Sequence, residues 1–291
     1  MRKQNLVERI VEGSLKQKDL TIADLPHSRK QIYGHLIKQR FGTLFAANFF
    51  NTMFWIPLFI WYYFADFYVI EKIKSISEIN GDLFNLIFLE YGTMIPFFVL
   101  GCIGLSGFYY IIRRMCWGEA VSIIYDFRKG IKQSWKQFAF LGIFIGMLVF
   151  LFQYIFNYYS IQVFDNSTIN IILYGLTIIV FVLILMMLIF IFSMSSLYQI
   201  SNFMLIKASL LFTFKYFPKN LLILLISLFP FLVPVLIPAI MIRFIGILLL
   251  LFIGATNIVV IWTLYSHSIF DIHINKNDYP NYVNKGLYPL E

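Results

Sequence analysis

Charged side chains are scarce in this sequence. Asp, Glu, Lys and Arg make up 13% of its 291 residues, against 60% hydrophobic residues and a mean hydropathy of +0.78. So few charges cannot cover the surface of a water-soluble domain. A soluble nucleic-acid-binding protein is therefore excluded as well, despite the net charge of +8. The two cysteines are too few for a disulfide-stabilised secreted fold. We therefore expect a membrane protein.

Residue patterns that carry chemistry are missing as well. No nucleophile or carboxylate arrangement has the spacing of a catalytic site, and Cys102 and Cys116 have no further ligand at metal-site spacing. His267, Asp271 and His273 form the single candidate for a metal-binding or catalytic group. The favoured interpretation is that they are ordinary polar residues at the end of a span. We expect no catalytic, cofactor-binding or metal-binding residues, no cofactor, and a protein that is not an enzyme.

Six apolar runs are each long enough to cross a hydrocarbon core of about 30 Å. They cover approximately 44–63, 91–112, 138–158, 169–197, 221–242 and 245–266. The sequence thus predicts an all-α, polytopic bundle of six transmembrane helices. Its regions are a cytoplasmic N-terminal region (1–43), the transmembrane domain (44–266) and a cytoplasmic tail (267–291).

The distribution of Lys and Arg predicts the orientation. Twenty of the 23 lie in the N-terminal region, in the connectors 113–137 and 198–220, or in the tail. Basic residues stay on the cytoplasmic side, so we expect both termini in the cytoplasm of a multi-pass protein of the cell membrane. The segment 64–90, on the opposite side, is net acidic and is expected to be a loop.

Two amphipathic surface helices are expected near residues 28–41 and 120–137. Their apolar stripes should enter the membrane surface, with basic residues facing lipid phosphates. The residues expected to bind a partner or lipid are Arg113, Arg114, Arg128, Lys129, Lys132, Trp135 and Lys136. Either a docking surface or a simple positive-inside anchor would produce this pattern.

Neutral polar residues also occur within the spans. Asn48, Asn51, Gln153 and Asn257 would be costly to leave unsatisfied in lipid, so we expect them to face the bundle interior. Interhelical hydrogen bonding is the favoured role for them, and a polar translocation path is the alternative.

Proline and glycine mark two other features of the spans. Pro230, Pro234 and Pro238 remove backbone donors every four residues, which predicts a kinked or unwound fifth span. Gly142 and Gly146 predict close approach by a neighbouring helix, with packing inside the chain favoured over dimerisation.

The order of several motifs along the chain resembles the YesL-type family, also called domain of unknown function 624. The matching residues are Asn48 and Pro57; Tyr109, Tyr110 and Arg113; Gly118 and Glu119; Phe127, Arg128, Gly130, Lys132, Trp135 and Lys136; Tyr198, Lys207 and Phe217; and Tyr279, Pro280, Lys285, Gly286, Leu287 and Tyr288. This resemblance implies a small six-span membrane protein of Gram-positive bacteria. It also implies association with ABC importers for oligosaccharides, and it carries over no catalytic residues.

The functional hypothesis from sequence is an integral membrane accessory or scaffold protein. Its partners would be the lipid bilayer and, through the resemblance, the permease or ATPase subunits of a carbohydrate ABC importer. The main alternative is a facilitative transporter or channel for a neutral solute, and a membrane-embedded lipid enzyme is a third. A homo-oligomer has no support from the sequence, and no nucleic-acid partner is expected.

Overall fold

A computed structural model describes residues 25–75, 79–162, 168–237, 242, 245–246 and 249–288. These residues form helices and contain no β-strand, which confirms the all-α prediction. In chain order the helices are α1 (Arg29–Gln39), α2 (Phe41–Ser75), α3 (Ile79–Tyr91), α4 (Ile95–Cys116), α5 (Ile123–Gln162), α6 (Thr168–Leu197), α7 (Asn202–Lys215), α8 (Phe217–Leu236), α9 (Ala255–Phe270) and α10 (Lys276–Asp278). Two π-helical segments, Leu250–Gly254 and Asp271–Asn275, flank α9.

Five helical segments in the described ranges are long and apolar enough to cross a membrane, and a bent pair of helices makes a sixth if it forms one span. The five are Phe41–Ala65, Asn85–Cys116, Ile123–Phe156, Ile171–Leu197 and Phe252–Asp278. Each overlaps one of the predicted spans. The chain is therefore a multi-pass membrane protein, and the second helix of the bent pair covers most of the predicted fifth span.

The bent pair shows that most of the predicted connector 198–220 is helical. Helix α7 occupies most of it and meets α8 at 96°. Asn220 fixes this corner, because its side-chain amide donates to the carbonyl oxygens of Phe212 at 3.1 Å and Thr213 at 3.0 Å. These carbonyls lie in the last turn of α7, and the Phe212 carbonyl also accepts from the Tyr216 backbone N–H at 3.1 Å. Pro218 lies in the first turn of α8, where a missing N–H removes no hydrogen bond.

The proline-rich span unwinds at one place only within its described part. Helix α8 continues through Pro230 and Pro234 to Leu236. Ile237 is then extended, with φ −70° and ψ 130°. Residues that precede proline favour this conformation, so Pro238 explains the end of the helix, although Pro238 itself lies outside the described residues.

Two helices are longer than the sequence suggests. Helix α5 runs for 40 residues, about 60 Å, so the predicted surface helix 120–137 and the third span are one continuous helix. Helix α2 runs for 35 residues to Ser75 and α3 begins at Ile79, so the predicted loop 64–90 is largely helical. In both cases the residues assigned to a separate element extend a spanning helix.

Helix α1 forms where expected but faces the protein. Ser28 caps it, accepting from the Gln31 backbone N–H at 3.3 Å, while the Gln31 side chain accepts from Ser28 N–H at 3.0 Å. Its apolar stripe packs on the bundle, where Ile32 and Leu36 are buried. The expectation that this stripe enters the membrane surface is therefore wrong, because the bundle covers it.

Glycines set the spacing of the central helix α4 against its neighbours α2 and α5. A Cβ on Gly104 would lie 2.6 Å from the Cβ of Phe54 on α2. On the other side, a Cβ on Gly142 of α5 would lie 2.5 Å from the Cα of Val99, and one on Gly146 would lie 3.1 Å from the Cα of Ile95. The glycines of α5 thus pack inside the chain, as favoured from the sequence.

We expect Gly142→Ala to lower the free energy of unfolding by roughly 2 kcal/mol, because the new methyl group meets backbone atoms of α4 that cannot move aside. Equilibrium unfolding in detergent micelles measures this change. Gly175→Ala is the matched control, since nothing lies within 4 Å of a Cβ there, and it should leave stability unchanged or slightly raised. Equal effects of both substitutions would contradict close packing at Gly142.

Candidate functional site

One side of the first four turns of α5 is exposed and basic. This surface, which we call the basic face, consists of Arg128, Lys129, Lys132, Trp135 and Lys136. At about 100° per residue these side chains fall within one third of the helix circumference. The opposite third carries Phe127, Gly130 and Phe138, which pack on α4. The basic face therefore points away from the bundle.

The packing behind the basic face is close. A Cβ on Gly130 would lie 2.5 Å from the Cβ of Tyr110 and 3.0 Å from the Cα of Gly107. The Phe127 ring lies among aromatic rings of α2, 6.0 Å from Phe50 and 5.8 Å from Phe54 between centroids. The basic face is consequently carried by a rigid part of α5, with its positions fixed by α2 and α4.

Two of the residues predicted to bind a partner are used inside the chain. Arg113 is only 7% exposed, and its guanidinium donates to the carbonyl oxygen of Ser196 in the last turn of α6. It also lies 4.6 Å from the centroid of the Tyr110 ring and 5.0 Å from that of Trp117. Arg113 thus caps a helix end and is not part of an external surface, which corrects its assignment.

Arg114 holds the turn between α4 and α5. Its Nε donates to Glu119 at 2.7 Å, and its Nη1 donates to the buried carboxylate of Asp126. Asp126 in turn accepts from the Ser122 backbone N–H at 2.8 Å, next to the start of α5. Arg114 therefore stabilises the geometry of the turn, and its assignment to an external surface is also wrong.

Residues 276–288 of the C-terminal tail lie over this turn. The Lys285 ammonium is 2.9 Å from Glu119 and 3.8 Å from the centroid of the Trp117 ring. Gly286 follows with φ +86°, and a Cβ there would collide with the Cys116 carbonyl. Only glycine fits this close crossing of the tail over the end of α4.

Helix α1 contacts the tail from the other side. Arg29 donates to Asp271 at 2.6 Å and to the Lys285 carbonyl at 3.1 Å. The Tyr288 backbone N–H donates to the Pro26 carbonyl at 3.1 Å. Residues near both ends of the described chain thus meet at one end of the bundle, where ion pairs connect α1, the α4–α5 turn and the tail.

The predicted interior polar residues divide into two groups. Asn48 donates to the Phe252 carbonyl at 2.9 Å, and Asn257 accepts from the Tyr33 hydroxyl at 2.6 Å. Asn51 is buried and lines a cavity of about 240 Å³ between α2 and α9. Gln153 lies on α5, which contributes no described residue to this cavity. The structure therefore brings the three asparagines to the seam between the first and last spans and leaves Gln153 apart.

The fold directs His273 away from His267 and Asp271, which line one small pocket. His267 is buried beside the Trp117 ring, 6.2 Å away between centroids. Asp271 pairs with Arg29, and His273 lies 2.5 Å from the Tyr216 hydroxyl. Within the described ranges no three His, Cys, Asp or Glu residues are grouped to hold a metal ion.

No family model matches this chain, and neither do any curated proteins or solved structures. Function is therefore inferred from the geometry of the chain itself. The resemblance to the YesL-type family stays a hypothesis that rests on the order of the motifs.

Sequence reasoning missed the ionic residues that fix the tail. Arg29, Glu119 and Lys285 are far apart in sequence, so nothing local indicates that they meet. The available sequence signal was a glycine next to Glu119 and another next to Lys285. Gly118 and Gly286 both adopt positive φ, as turns and close crossings require.

We expect Asp271→Asn to lower the free energy of unfolding by roughly 2 kcal/mol, because it leaves the largely buried Arg29 guanidinium without its counter-charge. Asp278→Asn makes the same chemical change at an exposed position seven residues further on, and should stay within about 0.5 kcal/mol of the wild type. Unfolding curves of both variants in detergent provide the measurement. If both are equally stable, the Arg29–Asp271 pair does not hold the tail-bearing end together.

Stability should also depend on pH through Glu119. Burial acts to raise the pKa of its carboxyl group, but Arg114 and Lys285 outweigh burial and leave the pKa below its ordinary value of 4.5. A lowered folded-state pKa stabilises the protein above the unfolded pKa, and this stabilisation is lost as the pH falls through the folded value. The stability difference between wild type and Glu119→Gln should therefore be constant above pH ~5 and vanish in stronger acid. A difference that does not change with pH would contradict this ionic role.

Proposed function

We propose that this protein is an integral membrane accessory or scaffold protein that acts by contact with another membrane complex. The observation that supports it best is the basic face of α5. Its cations lie on the side of the helix opposite its packing contacts. Arg113 and Arg114, which are close in sequence, instead form hydrogen bonds within the chain. The basic face is thus left free for an external partner.

The composition of the basic face suits a protein partner. Arg and Trp are enriched at the centres of protein interfaces, and Trp135 is 46% exposed between the cations. The rigid packing beneath Gly130 means that little conformational entropy is lost on binding. The partner should present an acidic surface at the same depth relative to the membrane, because complementary charge favours association and fixes orientation.

The resemblance to the YesL-type family supports a specific partner class, the permease or ATPase subunits of a carbohydrate ABC importer. The bias of Lys and Arg towards one side supports a cell-membrane protein with both termini in the cytoplasm, which would place the basic face on the ATPase side.

The alternative of a channel or facilitative transporter for a neutral solute has less support. Asn48, Asn51 and Asn257 lie at one seam, but Asn48 and Asn257 are engaged in hydrogen bonds within the chain. The described lining of the larger cavity is almost wholly apolar. A path for a polar solute would need a continuous polar lining, so we favour the accessory role.

We expect the fourfold charge reversal R128E/K129E/K132E/K136E to abolish recovery of the partner. The tagged protein is purified from its native membrane in mild detergent, and co-purifying subunits are quantified by mass spectrometry. Replacing four cations by carboxylates places like charges against an acidic partner, so recovery should fall at least tenfold.

The matched control is K30E/K38E/K207E/K276E, which reverses four exposed lysines away from the basic face. It changes the net charge equally and should leave recovery intact. Equal recovery with both variants, or loss of anionic phospholipid alone, would contradict docking of a protein at the basic face. Recovery of importer subunits in particular would support the finer assignment.

A further inference from the structure

Helix α7 lies across one end of the bundle, level with residues 273–275 of the last span. It begins shortly after α6, where the Tyr198 hydroxyl donates to the Asn275 side chain at 2.6 Å. It ends next to Tyr216, whose hydroxyl lies 2.5 Å from Nε2 of His273. Helix α8 meets α7 at 96° and covers about 30 Å with its own 20 residues, so α7 is not needed to cross the membrane.

The outer side of α7 is exposed and apolar. Phe203 is 79% exposed, Leu211 61% and Phe214 59%, whereas Leu205 and Phe212 on the opposite side are buried. At about 100° per residue, the three exposed side chains fall within one quarter of the helix circumference. A short helix that lies across the end of a membrane bundle with an apolar outer side is typical of the boundary between head groups and acyl chains.

Two lysines lie around the corner between α7 and α8. Lys215 Nζ is 5.8 Å and Lys219 Nζ is 6.0 Å from the centroid of the same aromatic ring, that of Tyr216. Both lysines are exposed, and among the described residues neither forms an ion pair with a carboxylate. The first turn of α8 contains no acidic residue, and its N–H groups add positive partial charge. The corner therefore concentrates positive charge beside an apolar surface.

We infer that this corner binds an anionic phospholipid. Both ammonium groups would donate to the lipid phosphate, because their exposed, flexible stems can turn towards one anion beside the Tyr216 ring. The acyl chains would lie along Leu211 and Phe214. A tyrosine is suited to this depth, since its ring is apolar and its hydroxyl is polar. This binding site goes beyond the proposed accessory function and does not depend on it.

The surroundings of the two lysines favour a lipid over a soluble anion. Phe214, Phe217 and Leu222 are exposed next to the corner and continue onto α8, the second helix of the bent pair. A free phosphate would gain nothing from these side chains, whereas a lipid places hydrocarbon against them. A zwitterionic head group carries its own ammonium group, which offsets the phosphate charge. The lipid should therefore have a net negative charge.

Native mass spectrometry of the full-length protein tests this inference, because it counts lipids bound to each molecule. The protein in a nonionic detergent is titrated with phosphatidylglycerol and separately with phosphatidylcholine. We expect one lipid to bind first, with an affinity for phosphatidylglycerol at least several-fold above that for phosphatidylcholine. The soluble head group glycerophosphoglycerol, at the same concentration, should not displace the lipid.

The double substitution K215Q/K219Q is the decisive variant. It should weaken phosphatidylglycerol binding at least fivefold, since one lysine beside an anionic lipid surface contributes a factor of about five. Its unfolding temperature should stay at the wild-type value, because both lysines are exposed. The matched control K30Q/K38Q removes two exposed lysines of α1 and should bind the lipid like the wild type.

Two further measurements locate the ligand. Phe214→Ser should weaken both lipids while keeping the preference for phosphatidylglycerol, because it alters the surface for the acyl chains and leaves the cations in place. A photoactivatable phosphatidylglycerol should crosslink to residues 203–222, as mapped by peptide mass spectrometry.

Any of four results would overturn the inference. They are wild-type affinity of K215Q/K219Q for phosphatidylglycerol, displacement of the lipid by the soluble head group, crosslinking confined to other helices, and capture of an acidic protein instead of lipid at the corner. The fourfold reversal of the basic face should keep the lipid site, and K215Q/K219Q should keep recovery of the protein partner. Failure of the accessory proposal and failure of this inference are thus distinguishable.

Discussion

Close packing of α4 between α2 and α5 is the constraint on which the rest of this structure depends. Within a membrane, apolar side chains gain little by leaving lipid for protein, so helices associate mainly through shape. Gly104 and Gly107 on α4, with Gly130 and Gly142 on α5, permit that contact, and a methyl group at any of them would meet another atom at 2.5–2.8 Å. The position of α5 relative to α4 decides which of its sides is buried, and hence where the basic face points.

Ion pairs at the end of the bundle that contacts the tail add to the stabilisation provided by glycine packing. Arg113 satisfies the end of α6, Arg114 fixes the α4–α5 turn, and Lys285 and Arg29 fasten the tail over it. Ion pairs in this partly buried setting lose less to solvent than fully exposed pairs do. Cations that look alike in the sequence thus have different roles: some hold the fold together, while those of the basic face lie outside it.

The basic face and the cavity between α2 and α9 are physically separate. The basic face belongs to α5, whereas α2, α4, α6 and α9 supply the described walls of the cavity. Tyr109 lies on α4 between them, and its ring contacts Phe138 of α5. Each site can therefore be altered without touching the other, although both depend on the same central helix for their geometry.

The sequence by itself determined the properties that depend on local composition and spacing. It indicated the membrane location, the helical class, the first four spans and the interior placement of Asn48 and Asn51, because each follows from the cost of exposing apolar or polar groups to the wrong solvent. Only the tertiary structure decided which neighbour a side chain meets. A basic amphipathic stretch looks the same whether its apolar stripe packs on lipid or on protein, so the merging of 120–137 into α5 and the burial of Arg113 could not be predicted. The contacts of Arg29 with Asp271 and of Lys285 with Glu119 likewise join residues distant in sequence, and they exist only once the helices have packed.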